Sequence, residues 1–307
     1  MNWTKTKYLL FLLALTACKS EQLVQEIALP ERKLIEVEQL TDLLEMGQVQ
    51  LIDFRKKDAF LSGHIPGAVN LWRSDIEDTE HQTAGMMATA AQLEARLSKL
   101  GIDNDKFLVV YDNNGNCDAS RFWWVMKQYG YNKVYLLNGG LKSWQAGLSN
   151  TAVKLQESSF KLPYKSPKPE RYLDHNMLFE LLEQEVVVID ARSADEFSGK
   201  RLKNGAARAG RIPKSINMDW VITVNLDGDH KFKSLEELQA LFQQIDTNKD
   251  SPIVVYCHSG VRSAHMTFVL TELMGYTNVK NFDGSWIDWS AAAHLPITQD
   301  SLITLQN

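Results

Sequence analysis

Pro252-Ile253-Val254-Val255-Tyr256-Cys257-His258-Ser259-Gly260-Val261-Arg262 decides the fold. The apolar, β-branched run up to Tyr256 reads as a buried strand and a short glycine-bearing loop follows. Ser263-Ala264-His265-Met266-Thr267-Phe268-Val269-Leu270 then reads as a helix with one apolar face. Strand, loop and helix in that order are the unit of an α/β sheet. Backbone N–H groups converge where the loop enters the helix, and they and the helix dipole stabilise an anion there. The same field lowers a thiol pKa and yields a reactive thiolate. A plain alternative is an inert cysteine closing a core strand. Gly260, which lets the loop curl around a small ligand, and Arg262, a fixed cation beside the thiol, favour the nucleophile.

The rest of the chain repeats this unit. Leu51-Ile52-Asp53-Phe54-Arg55 matches Val188-Ile189-Asp190-Ala191-Arg192, and His64-Ile65-Pro66-Gly67 matches Arg211-Ile212-Pro213-Lys214. Val109-Val110-Tyr111-Asp112 matches Val254-Val255-Tyr256-Cys257, and Asn138-Gly139-Gly140 with Trp144 matches Asp283-Gly284-Ser285 with Trp289. The spacings run from 137 to 147 residues, so the chain is a duplicated domain rather than a short-period solenoid. Strands are expected near 49–54, 68–72, 107–112 and 133–138, with helices near 37–46, 89–100 and 118–130. The second copy should have strands near 186–191, 215–219, 252–257 and 278–283, with helices near 174–184, 234–245 and 262–274. This alternation predicts two α/β domains, each a parallel sheet flanked by helices, over 33–148 and 172–300. Residues 149–171, with Pro163, Pro167 and Pro169, read as a polar linker. Ligands bind beyond the carboxyl ends of such strands, where Cys257 stands.

The N-terminus reads differently. Lys5 and Lys7 precede the apolar stretch Tyr8-Leu9-Leu10-Phe11-Leu12-Leu13-Ala14-Leu15, a secretory signal over 1–17 too short to span a bilayer. It ends in Leu15-Thr16-Ala17-Cys18, which resembles a bacterial lipobox. That resemblance implies lipidation at Cys18 and a tether over 18–32. Lys19 rather than Asp after the cysteine points to the periplasmic face of a Gram-negative outer membrane. The expected protein is a soluble body held to the cell envelope by lipid. Net charge is −5, from 33 basic and 38 acidic residues, and no basic run of nucleic-acid type occurs. Three cysteines, one of them in the lipobox, are too few for a disulfide framework. A thiol kept in an oxidising compartment suggests catalysis.

Taken together, these landmarks resemble the tandem-domain rhodaneses, the thiosulfate and 3-mercaptopyruvate sulfurtransferases. The resemblance rests on Gly63-His64-Ile65-Pro66-Gly67-Ala68, Asn138-Gly139-Gly140-Leu141-Lys142-Ser143-Trp144, Asp190-Ala191-Arg192, Cys257-His258-Ser259-Gly260-Val261-Arg262 and Phe282-Asp283-Gly284-Ser285-Trp286. It implies two rhodanese-like domains with the nucleophile in the second only, and Asp112 indeed stands where the first would need a cysteine. It further implies that Cys257 takes a sulfane sulfur from thiosulfate as a persulfide and passes it to cyanide or a thiol. The loop 258–262 and the basic side chains Arg192 and Arg208 would bind the anionic donor. The covalent intermediate needs no cofactor or metal. His258 is read as an exposed loop residue before a proton donor. Asp53, Arg55 and His64 are read as structural, though in mercaptopyruvate enzymes acidic and imidazole groups there approach the site. The family loop reads C-R-K-G-V-T in thiosulfate enzymes and C-G-S-G-V-T in mercaptopyruvate enzymes. Ser259 follows the latter and Arg262 neither, which keeps 3-mercaptopyruvate as the alternative donor. A phosphatase of the same fold would use Cys-x5-Arg, one residue longer than the spacing from Cys257 to Arg262. A persulfide carrier without turnover is the remaining alternative.

Overall fold

Strand, loop and helix alternate through the described residues, 30–168, 172–245 and 247–300, of a computed structural model. The signal, the lipobox with Cys18 and most of the tether lie outside the described residues. The first half contains strands β1 (Leu34–Ile35), β2 (Val49–Asp53), β3 (Val69–Asn70), β4 (Phe107–Tyr111) and β5 (Val134–Leu137). They form one parallel sheet in the order β1-β5-β4-β2-β3. The second half places β6 (Val187–Asp190), β7 (Ile216–Asn217), β8 (Ile253–Tyr256) and β9 (Val279–Asn281) in a parallel sheet ordered β7-β6-β8-β9. This is the predicted duplication, with β1 and several short helices added to it.

Strand alternation assigns the faces. On β4, Val109 and Tyr111 join the outer core of the first domain, while Leu108 and Val110 face the other domain. On β8, Val254 and Tyr256 point outward, while Ile253, Val255 and then Cys257 point to the seam. Parity therefore aims the thiol at the junction between the domains. The seam is built by helices α1 (Cys117–Gln128) and α2 (Val261–Phe268), which pack against each other. Nearly every residue of both is buried, because each has a sheet on one side and the other helix on the opposite side. Trp123 meets Phe268 edge-on with ring centroids 4.9 Å apart. Each such aromatic side chain is worth about 2–3 kcal/mol in burial alone, so the domains share one core.

The proline-bearing segment after the first domain is not a loose spacer up to residue 168. Ser149 and His64 exchange backbone hydrogen bonds of 2.9 Å, and Phe160 and Leu162 are buried in the shared core. Residues 149–168 strap the first domain.

Candidate active site

Cys257 sits at the carboxyl end of β8, 1 % exposed, with Gly260 as the N-cap of α2. Gly260 adopts φ +80°, which favours glycine and lets the loop close in three residues. Ser285 holds the loop from below. Its Oγ accepts the N–H groups of Cys257 and Gly260, each at 3.1 Å, and donates to the Phe282 carbonyl at 2.8 Å. The Ser263 hydroxyl lies 3.4 Å from Cys257 Sγ. Burial pushes the thiol pKa up, but Arg262, the Ser263 hydroxyl and the amides of Ser263 and Ser259 outweigh it, and the net shift is downward. The site favours a thiolate.

Arg262 forms a bidentate pair with the buried carboxylate of Glu196, at 2.7 and 2.9 Å. Despite its own burial penalty, Glu196 is pulled down to about 2 by that guanidinium, so both partners stay charged. Lys203 completes the basic side. Burial and the neighbouring Arg262 lower its pKa, while Glu196 and the Cys257 thiolate raise it.

His258 is buried at 6 % exposure rather than solvent-facing, and its Nε2 donates to the Asn204 carbonyl at 3.0 Å. Burial, with Lys203 nearby, depresses it to about 4, so it is neutral at physiological pH. Ser259 packs against Gly85 of the first domain, and Val261 opens the buried helix. Residues 257–262 thus come together as one loop.

Arg192 and Arg208 do not join them, and their expected role as donor-binding cations is corrected by the geometry. Arg192 is 1 % exposed and bonds both oxygens of Asp190 and the Gly210 carbonyl. It lies over the rings of Trp286 and Tyr256, in the outer core and on the far side of the sheet from Cys257. Arg55 repeats the arrangement in the first domain, bonding Asp53 and the Gly63 carbonyl. Arg208 spends its guanidinium on the carbonyls of Trp289, Ser290, Ala292 and Leu295 at the end of the helix Ser285–Ala291. Both arginines are architectural. His64 is likewise buried, stacked on Phe60 with Nδ1 at the Phe60 carbonyl.

The loop at 112–118 is the counterpart of 257–263, one residue longer before its N-cap, Asn116. The Asp112 carboxylate fills it, accepting the N–H groups of Asn114, Asn116, Asp118 and Ala119 at 2.8, 2.9, 2.8 and 3.0 Å. Cys117 therefore falls at the first turn of α1, not at the nucleophile's position. Burial and the carboxylates of Asp118 and Asp112 push its thiol well up, so it is not a thiolate.

A rhodanese-like domain profile matches residues 36–147 and again 175–292. The chain belongs to the rhodanese family. A Saccharopolyspora erythraea protein with the provisional name thiosulfate sulfurtransferase is 36 % identical over 78 % of this chain and 86 % of its own length. The Thermus thermophilus sulfur carrier protein TtuD is 34 % identical over 87 % of this chain and 96 % of itself. Among solved structures, the anaerobic ergothioneine biosynthesis enzyme of Chlorobium limicola superposes with a TM-score of 0.75. It is 25 % identical, covering 87 % of this chain and 70 % of that one. The two domain matches and these relatives place the chain among rhodanese-family sulfurtransferases.

Sequence reasoning misses Glu196, Lys203, Ser263 and Ser285. The motif Phe282-Asp283-Gly284-Ser285-Trp286 is a visible signal for Ser285. Glu196 and Lys203 stand far along the chain from Cys257, and no local pattern shows which cation a distant carboxylate will hold.

Proposed function

We propose that this protein is a thiosulfate sulfurtransferase acting through a Cys257 persulfide. The thiolate attacks the outer sulfur of thiosulfate. A sulfur–sulfur bond forms to Cys257 as the bond to the sulfonate sulfur breaks, and sulfite leaves with the bonding pair. Cyanide or a thiolate then attacks the outer persulfide sulfur and returns Cys257 as thiolate. The observation that carries this reading is the geometry of the Cys257 loop: it ends a buried strand, its amides are ordered by Ser285, the Ser263 hydroxyl lies 3.4 Å from the sulfur, and Arg262 stands in the first turn of the helix that follows. The same donors stabilise negative charge on the persulfide. No cofactor or metal takes part.

Thiosulfate rather than 3-mercaptopyruvate is supported by the fixed cation Arg262 with Lys203 beside it, which suits a dianion, and by the names of relatives. Measuring kcat/KM for both donors with cyanide as acceptor tests it. Wild-type efficiency about tenfold higher on mercaptopyruvate would reverse the assignment. The likeness to a named sulfur carrier favours one second reading, a persulfide relay with a protein acceptor. One labelled sulfur per chain without turnover on cyanide or small thiols would select it. The protein acts in the bacterial cell envelope, lipidated at Cys18 and facing the periplasm from the outer membrane. Mass analysis of the mature N-terminus checks this, and an unmodified residue other than Cys18 refutes it. Among the described residues no helix is long and apolar enough to cross a membrane.

A further inference from the structure

Arg121 is a buried guanidinium in α1, 1 % exposed, belonging to the domain without the nucleophile. Its Nη1 stands 2.6 Å from Asp283 Oδ1, and its Nη2 donates to the Gly85 carbonyl at 2.8 Å. Nη1 also reaches the Gly260 carbonyl at 3.5 Å, at the apex of the Cys257 loop. The face of the guanidinium lies 4.9 Å from the Trp124 ring. The second oxygen of Asp283 accepts the Met87 N–H at 3.0 Å, so the first domain grips this carboxylate on both sides.

Asp283 opens the turn whose Ser285 Oγ accepts the N–H groups of Cys257 and Gly260. The amides of Trp286 and Ile287, one turn further, donate to the carbonyls of Cys257 and His258 at 3.0 and 3.1 Å. Arg121 therefore touches the nucleophile loop at its apex and holds the turn that supports its base. The approach is close: a Cβ on Gly260 would lie 2.7 Å from Nη1. The duplicated position is occupied differently. His265, like Arg121 the fifth residue after its helix's N-cap, faces the other loop and is drawn to the Asn116 backbone. The reactive loop is touched by an arginine, whereas the imidazole at the duplicated place bonds the Thr223 hydroxyl instead.

We propose that Arg121 is a positioning residue for sulfur transfer, through which the first rhodanese domain fixes the amides around Cys257 and so sets its thiolate. The proposal rests on the persulfide reading for its role in turnover, but its effect on the thiol is independent of any donor. The experiment compares Arg121→Met, Arg121→Lys and the charge-neutral pair Arg121→Met with Asp283→Asn in the full chain. Two measurements are made: the pH dependence of Cys257 alkylation by iodoacetamide, and kcat and KM with thiosulfate. Thermal melts establish that each variant is folded.

Folded Arg121→Met should show the Cys257 titration moved up by about one pH unit, and kcat down about tenfold with KM changed less than about threefold. The charge-neutral pair removes the unpaired buried carboxylate and should recover stability without recovering either readout. It keeps the test open if Arg121→Met does not fold. Arg121→Lys keeps the charge but cannot reach three acceptors in one plane, and should fall between. Wild-type titration and kcat in either folded methionine variant would overturn the proposal and leave Arg121 a stability element only. Should the wild type show no turnover with thiosulfate, the function fails while the alkylation profiles still decide Arg121.

Discussion

The loop at 112–118 and the loop at 257–263 are two copies of one device with opposite contents. In the first, Asp112 brings its own carboxylate into the amide nest, and four N–H groups close on it. In the second, the nest receives a cysteine sulfur, with Ser259 and Ser263 amides lowering its pKa as their counterparts Asn114 and Ala119 hold Asp112. The charge beside each nest is inverted as well: Asp118, paired with Arg73, occupies the helix position that Arg262, paired with Glu196, occupies in the second. An anion nest filled by the protein's own side chain is structure, even though burial and Asp118 raise the Asp112 pKa to about 6. The same nest around a sulfur that can take up and release a group becomes chemistry. Duplication freed one copy to bind the other, which is where the long buried surfaces of α1 and α2 go.

The largest expected effect separates the two loops outright. Cys257→Ser should lower turnover at least about a thousandfold, since a neutral hydroxyl cannot carry the sulfur. Cys117→Ser should stay within about twofold, because its thiol is held protonated away from the nest. Thiosulfate-treated protein should show one added sulfur on the Cys257 peptide by mass spectrometry. Sulfur on Cys117 with Cys257 unmodified would break the comparison.

Next in size comes the inverted charge. Arg262→Met removes the strongest influence lowering the Cys257 pKa and strands Glu196. The thiol should titrate about one to two pH units higher, so activity at neutral pH should fall by about ten- to a hundredfold. The alkaline-rising limb of kcat/KM moves up with it. In the wild type that limb lies below the ordinary thiol pKa of 9.0, and His258, already neutral above about 4, adds no inflection near 6.5. Glu196→Gln sharpens the test by freeing Arg262: the thiol should titrate lower than in the wild type. An upward shift there would show that Glu196 acts by orienting Arg262 rather than by offsetting its charge.

Much of this architecture is legible in the amino-acid sequence, and what is not has a physical reason. The fold is readable because β-branched runs, glycine turns and amphipathic helices are local signals, and their recurrence doubles each one. Cys257 and its loop are readable for the same cause, being a contiguous strand–loop–helix unit. The surroundings of Arg192 and Arg208 are not. Arg192 sits two residues from Asp190 on one strand end, and Arg55 repeats that spacing beside Asp53 in the copy without a nucleophile. A pairing present in both copies signals architecture, and that repetition is the clue the sequence offers against a donor-binding role. Arg121, Asp283 and Glu196 carry no such clue, since partners that define them lie tens of residues away, as the 66 residues from Glu196 to Arg262 illustrate.

A smaller effect tests whether the first nest is structural. Asp112→Ala leaves four buried N–H groups facing an empty loop and should destabilise the chain by about 3 kcal/mol in denaturant unfolding. The thiol of Cys257 should titrate unchanged in the same protein. A shift of that titration would mean the two nests are coupled through the seam rather than divided into structure and chemistry.

The smallest expected effect concerns the imidazole that faces the blocked loop. His265 is fully buried between Trp220 and Phe232, bonded to the Thr223 hydroxyl at 2.8 Å, and burial depresses its pKa to about 3. In the unfolded chain it titrates near 6.5, so the unfolded state binds the extra proton first as pH falls. The stabilising contribution is therefore whole above pH 6.5 and is lost as pH drops toward 3, at a slope approaching about 1.4 kcal/mol per pH unit. His258, depressed to about 4, adds to the same loss over pH 6.5 to 4. His265→Gln keeps a polar group near Thr223 but cannot take up a proton. It should be less stable than the wild type at pH 8, and the gap should narrow by about 1 kcal/mol for each pH unit below 6. Urea unfolding at pH 8, 6 and 5 reads this directly. Parallel stability curves for the two proteins would show that the His265 pKa does not change on folding, and that its burial is not the source of the acid loss.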